Sequence, residues 1–118
     1  MSAIKRALDQ PYVELIASAG LATLYSATVP PDEVWCIQRF SFEGNLATAS
    51  GNTRARYYAD RSGARTPLGE QDAPVADTLY WDKDPFWLRP GERLALEWDQ
   101  AQASTTLKMW IRGYVQDA

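Results

Sequence analysis

The chain has 118 residues, a net charge of −3 and a single cysteine, Cys36. These values fit one domain with its own hydrophobic core, exclude an internal disulfide framework, and give no bulk charge for holding a polyanion. Histidine is absent altogether, which removes histidine-based triads, the commonest general base and the histidine-containing zinc sites.

Residues 1–11 read as a short N-terminal arm, and residues 12–118 as a single domain. Within the arm, Ile4, Ala7 and Leu8 suit one apolar helical turn that Pro11 ends. Such a turn is marginal alone. It is either a frayed terminus or an arm that orders on a neighbour. The segment lacks the apolar centre of a signal peptide, and no apolar run approaches the ~20 residues of a membrane span. A soluble protein made in a reducing cytoplasm, without membrane contact, is expected.

Residues 12–16 are a first strand candidate. Residues 21–29 alternate, with Leu21, Tyr25, Ala27 and Val29 on one face, until Pro30-Pro31 stops them. Residues 34–42 follow, with Val34, Cys36, Phe40 and Phe42 on one face and Trp35 and Ile37 on the other. Apolar residues on both sides suggest a strand between layers. Cys36, with no histidine to activate it, reads as a small buried hydrophobe.

Residues 44–53, rich in Gly, Asn, Ser and Thr, read as a loop. Residues 54–60 form a strand with Tyr57 on one side and Arg54, Arg56 and Tyr58 on the other. Residues 61–73, with Gly63, Pro67 and Gly69, read as a second long loop. Residues 75–82 alternate through Val75, Leu79 and Trp81, and Phe86-Trp87-Leu88 is a brief apolar run.

The last quarter of the chain carries the clearest pattern. Leu94, Leu96 and Trp98 share one face of a strand. Leu107, Met109, Ile111 and Val115 share one face of the next, with Lys108, Trp110, Arg112 and Tyr114 on its reverse. Just before them, Arg89-Pro90-Gly91-Glu92 places Pro and Gly at the central positions of a type II turn. Seven or eight short strands, uneven loops and no long helix give an all-β fold. It is an antiparallel β-sandwich, jelly roll or immunoglobulin-like, and the proline-broken strands favour the jelly roll.

Three constellations invite a functional reading. Asp77, Asp82 and Asp84 offer oxygens, but match no calcium-loop spacing. Arg54, Arg56, Arg61 and Arg65 cluster in a chain whose later half is acidic. That arrangement suits either ordinary surface charge or complementary patches between neighbours. The nearby Tyr57 and Tyr58 suit nucleic-acid stacking, against which the acidic total counts. The reverse face of the last strand, Lys108, Trp110, Arg112 and Tyr114, is the leading contact candidate, joined by Arg54, Arg56, Ile4 and Leu8. It is read as cross-strand packing, a protein interface or a sugar-stacking platform.

Two segments and the closing strand also carry a resemblance. Val29-Pro30-Pro31-Asp32-Glu33-Val34-Trp35-Cys36-Ile37, Leu88-Arg89-Pro90-Gly91-Glu92-Arg93-Leu94 and the terminal Gly113-Tyr114-Val115 resemble small virion proteins of tailed bacteriophages. Asp32 stands where glycine is common in that family. The resemblance implies a jelly roll on the outer capsid surface, made in the bacterial host cytoplasm, without enzyme activity or cofactor. By size it points to the capsid decoration or cement type. Such subunits clamp the major capsid protein, frequently as dimers or trimers. A carbohydrate-binding module on the virion or tail is the alternative, and a small enzyme is disfavoured.

Overall fold

A computed structural model describes residues 4–9, 13–46, 53–82 and 84–118. The chain forms ten strands: β1 (Ile4–Asp9), β2 (Val13–Ile16), β3 (Gly20–Tyr25), β4 (Glu33–Gly44), β5 (Arg54–Arg61), β6 (Ala64–Asp72), β7 (Tyr80–Asp82), β8 (Phe86–Leu88), β9 (Arg93–Ala101) and β10 (Thr106–Asp117). Among the described residues there is no helix.

The strands make two antiparallel sheets. In the first, β10 and β4 form the centre, and each outer edge is shared by two short strands laid end to end. β1 and β2 both pair with β10, while β7 and β8 both pair with β4. The second sheet runs β3-β9-β5-β6. Counting each split edge as one interrupted strand gives four strands per sheet, in chain order 1-8-3-6 and 2-7-4-5. That double Greek key is the jelly roll.

Alternation builds the core. Trp35, Ile37, Phe40, Phe42, Leu107, Met109, Ile111 and Val115 come from the first sheet, and Leu24, Ala55, Tyr57, Leu94, Leu96 and Trp98 from the second. Phe40 and Phe42 lie against Tyr57 with ring centres 4.9 and 6.0 Å apart, and Trp98 meets Phe42 edge-on. Each large side chain so enclosed contributes about 1.5–3 kcal/mol.

Several expectations change. Residues 4–9 are extended and pair with β10, in place of a helical turn; residues 1–3 and 10–12 lie outside the described residues. The strand expected to reach Val29 stops at Tyr25. Beyond it the chain keeps company with the other proline turn, because Val29 N–H donates to Glu92 O and Gly91 N–H to Val29 O. Residues 64–72 are a strand, where a loop was expected. Ser62-Gly63 closes a tight hairpin with both residues at positive φ. Pro67 is tolerated because β6 is an edge strand. Gly69 lies directly beneath the Tyr57 ring, where any Cβ would collide with the phenol.

The proline turns behave as their sequences suggest. Glu92 N–H donates to Arg89 O at 3.0 Å with Gly91 at φ +83°, a type II turn. In the other turn, Glu33 N–H donates to Pro30 O at 3.1 Å. Asp32 holds no left-handed φ there, so that turn closes without the glycine.

Candidate functional site

The outer face of the first sheet begins with β10. Leu107, Met109, Ile111 and Val115 point inward, and Lys108, Trp110, Arg112 and Tyr114 point outward. Arg112 is exposed, and the other three are half-buried.

A β-bulge in β4 decides what stands beside them. Gly113 pairs with Ile37 and Arg112 with Arg39, so Gln38 is an extra residue. The extra residue reverses the alternation of β4. Trp35 and Ile37 before it face the core together with Phe40 and Phe42 after it, while Cys36, Arg39 and Ser41 belong to the outer face. The expected grouping of Cys36 with Phe40 and Phe42 fails for this reason. Cys36 is nonetheless buried, between its register neighbours Tyr114 and Trp87. Gly113 makes the bulge possible: a Cβ there would collide with the Cys36 carbonyl oxygen.

Cross-strand register then sets out four rows. Lys108 stands between Glu14 and Glu43, and its ammonium lies 3.9 Å from the Glu14 carboxylate. Trp110 and Trp81 flank Ser41, with about 10 Å between their Cα atoms across two strand spacings. Arg112 is directly opposite Arg39, and Asp9 holds the register position on its far side. Tyr114, Cys36 and Trp87 form the last row. Three of the five tryptophans therefore occupy one sheet face. Trp81 and Trp87 are 47% and 53% exposed.

Polar groups are woven among these rings. The Arg39 guanidinium lies 5.7 Å from the Trp81 ring centre, within cation–π range. Hydrogen bonding to the Cys36 thiol holds the Tyr114 phenol above its ordinary value. Arg39, Ser41, Glu43, Leu79, Trp110 and Arg112 line an open concavity of ≈ 530 Å³.

The second sheet's outer face is of another kind. Asp60 is 1% exposed although it points away from the core. Arg93 and Arg65 cover it at 3.0 and 3.6 Å, and Arg65 reaches on to Glu97 at 2.7 Å. Arg93 stacks on Tyr25 at 3.6 Å and Arg65 on Tyr58 at 5.1 Å. Arg56 bonds Glu70 at 2.8 Å, and Arg54 lies near both Glu70 and Asp72. Hydrogen bonds to Glu70 and Glu97 raise the Arg56 and Arg65 guanidiniums above their ordinary value. The expected basic cluster is thus laced with acids from the same sheet, and Tyr58 already carries an arginine on its face.

The remaining candidates divide. Lys108, Trp110, Arg112 and Tyr114 share one surface. Arg54 and Arg56 lie on the opposite sheet. Leu8, 2% exposed, is part of the core; the side chain of Ile4 lies outside the described residues. Trp81, Trp87 and Arg39 were missed as surface residues. The signal for Arg39 is Gly113, since a glycine inside a strand marks a bulge and a bulge shifts the neighbouring faces, whereas the three-residue strands that carry Trp81 and Trp87 are too short to give one. Among the described residues no three His, Cys, Asp or Glu side chains converge as metal ligands. Asp82 Oδ2 accepts from Tyr57 and Oδ1 from Asp84 N–H.

No family model matches the chain, and no curated protein sequence does. Among solved structures it is similar to CBM4, a carbohydrate-binding module, at 10% identity and TM-score 0.38, covering 99% of this chain and 78% of that one. It is also similar to chains from infectious bursal disease virus. For the Gx strain the identity is 11% and the TM-score 0.43; for the Gt strain, 13% and 0.41. The match spans 32% of each viral chain.

Proposed function

We propose that the protein is a structural virion subunit of the phage decoration or cement type, which stabilises the major capsid shell by protein–protein contacts. One observation carries the reading: the outer face of the first sheet presents Trp81, Trp87, Trp110 and Tyr114 around two arginines. Aromatic residues and arginine are the side chains most enriched at binding hot spots. The proline-turn and closing-strand resemblance supports the virion setting and a role without catalysis or cofactor. On this reading the subunit acts as a homo-oligomer on the outer capsid surface, where many symmetric copies link shell stability to occupancy.

Mass spectrometry and antibody labelling of purified particles test the placement. The protein should be present in many copies per particle and label the capsid, and its absence from washed particles would end the virion reading.

A second reading is a carbohydrate-binding module on the virion or tail. The concavity between Trp110 and Leu79, with Arg39, Ser41 and Glu43 as polar groups, favours it. Ring stacking with a few hydrogen-bonding groups is how such a site would hold a sugar. Glycan-array binding that is lost in Trp110→Ala would establish it, and a silent array would dismiss it.

A further inference from the structure

We infer that β3 is a dimer edge, which pairs antiparallel with β3 of a second copy of this chain about a two-fold axis through Thr23. The pairing rests on the homo-oligomer of the proposed function, not on its virion setting, and gives that homo-oligomer a surface and a symmetry.

A sheet edge offers its backbone to other strands, and most edges in this fold are defended against that. β6 carries Pro67 together with Arg65, Glu70 and Asp72. β1 carries Arg6, β2 carries Glu14 and β7 carries Asp82. β8 has no charge, but it is three residues long and follows Pro85. β3 has six residues with neither a charge nor a proline. Among the described strands it pairs with β9 alone. The irregularity at its start belongs to β9, since Gly20 and Ala22 pair with Ala101 and Trp98. From Ala22 to Tyr25 the edge has no bulge of its own to turn it away.

Backbone direction and side-chain order select the occupant. Ser26 N–H donates to Leu94 O, so Ser26 faces β9. Alternation then turns the N–H and C=O groups of Thr23 and Tyr25 away from β9. Leu21-Ala22-Thr23-Leu24-Tyr25 has much the same character read in either direction. A two-fold through Thr23 therefore sets Leu21 of each copy opposite Tyr25 of the other, and Thr23 opposite Thr23. A ring against an aliphatic side chain buries apolar area, and Thr–Thr pairs are favourable across strands. Leu21 is 65% exposed in the single chain, and Arg93 already stacks on the Tyr25 ring at 3.6 Å. One edge paired with itself closes at two copies. Strands add in the plane of the sheet, so the dimer doubles the four-stranded sheet and leaves the Trp81 and Trp110 face open.

Sedimentation velocity of the full chain, from low to high micromolar concentration, tests the pairing. Wild type should pass from monomer to dimer and no further. Thr23→Lys sets two ammonium groups opposite each other in the dimer, whereas within one copy the lysine stands beside Glu97. It should weaken self-association roughly ten-fold and, at dilute concentration, melt within ~3 °C of wild type. Val75→Lys changes a side chain that is 60% exposed away from β3, and should leave the dimer intact. In Thr23→Cys a short bismaleimide should join the two copies, because opposed Cα atoms lie about 5.5 Å apart; Val75→Cys should stay unjoined. The pairing is overturned if wild type remains monomeric or forms trimers, if Thr23→Lys associates as well as Val75→Lys, or if Thr23→Cys is not joined. Particle composition separates it from the virion reading. A monomer present on washed particles discards the edge pairing and keeps that placement, and a β3-paired dimer absent from them does the reverse.

Discussion

Tyr57 of the second sheet donates a hydrogen bond of 2.8 Å to Asp82 of the first. The phenol crosses the aromatic core to reach the three-residue strand β7, adding to its pairing with β4 and to the stacking of Tyr80 on Phe42. Asp82 also accepts from the Asp84 N–H at 2.9 Å. With Asp82 tied inward, its neighbour Trp81 is turned outward. Tyr57→Phe removes the tie and should cost about 1–2 kcal/mol, or roughly 5 °C of melting temperature for a domain of this size. Thermal unfolding followed by circular dichroism checks this, and Trp81 emission should shift in the same variant.

The same hydroxyl predicts an alkaline limit. Burial first, and then the bond to Asp82, raises the Tyr57 phenol above its ordinary value. The unfolded chain ionises near pH 10 while the folded chain keeps its proton. The resulting stabilisation is complete below about pH 10 and is lost as pH climbs beyond it. Denaturant midpoints measured from pH 8 to 11.5 should fall at the alkaline end, and fall less steeply in Tyr57→Phe.

Gly113→Ala should be the most damaging single methyl addition on the first sheet. The new Cβ meets the Cys36 carbonyl within the bulge, and the backbone on both strands has to move. A loss of ~3 kcal/mol or more is expected, read as a collapsed denaturant midpoint or failure to accumulate as soluble protein. Gly63→Ala is the comparison. No atom lies near its Cβ position, and the strain there comes only from φ +92°, so its loss should stay near 1 kcal/mol.

Asp60 separates stability from binding. Its carboxylate is buried under Arg93 and Arg65, and both cations are partly exposed to solvent. Asp60→Asn should lower stability by about 1–3 kcal/mol, less than a fully enclosed pair would lose. Particle binding by the folded fraction should be unchanged, because this network lies on the sheet away from Trp110.

The legible parts of the fold were those with long periods. β9 alternates from Arg93 to Trp98 and β10 over its twelve residues, enough to fix their inward faces from sequence. Pro90-Gly91 was equally plain, because a Pro-Gly pair suits few turns. β6 was hidden by Pro67 and Gly69, which break a strand in a sheet centre but not on an edge beneath a tyrosine ring. β7 and β8, at three residues each, are too short to show a period, so Trp81 and Trp87 were not recognised as surface residues. The faces of β4 were misassigned after Ile37, since one extra residue inverts every later side chain. The candidate site was accordingly half legible: Trp110, Arg112 and Tyr114 from alternation, and Arg39, Trp81 and Trp87 only once the bulge and register were known.

Heat-triggered genome release from particles stripped of this protein, with purified protein added back, tests the docking face most directly. Wild type should raise the release temperature by several degrees, and Trp81→Ala/Trp110→Ala should leave it at the stripped value. That variant should also stay folded, because Trp81 is half exposed and its truncation lies outside the core. Equal release temperatures with and without wild-type protein would contradict the cement role, and full protection by the double variant would contradict the assignment of this face.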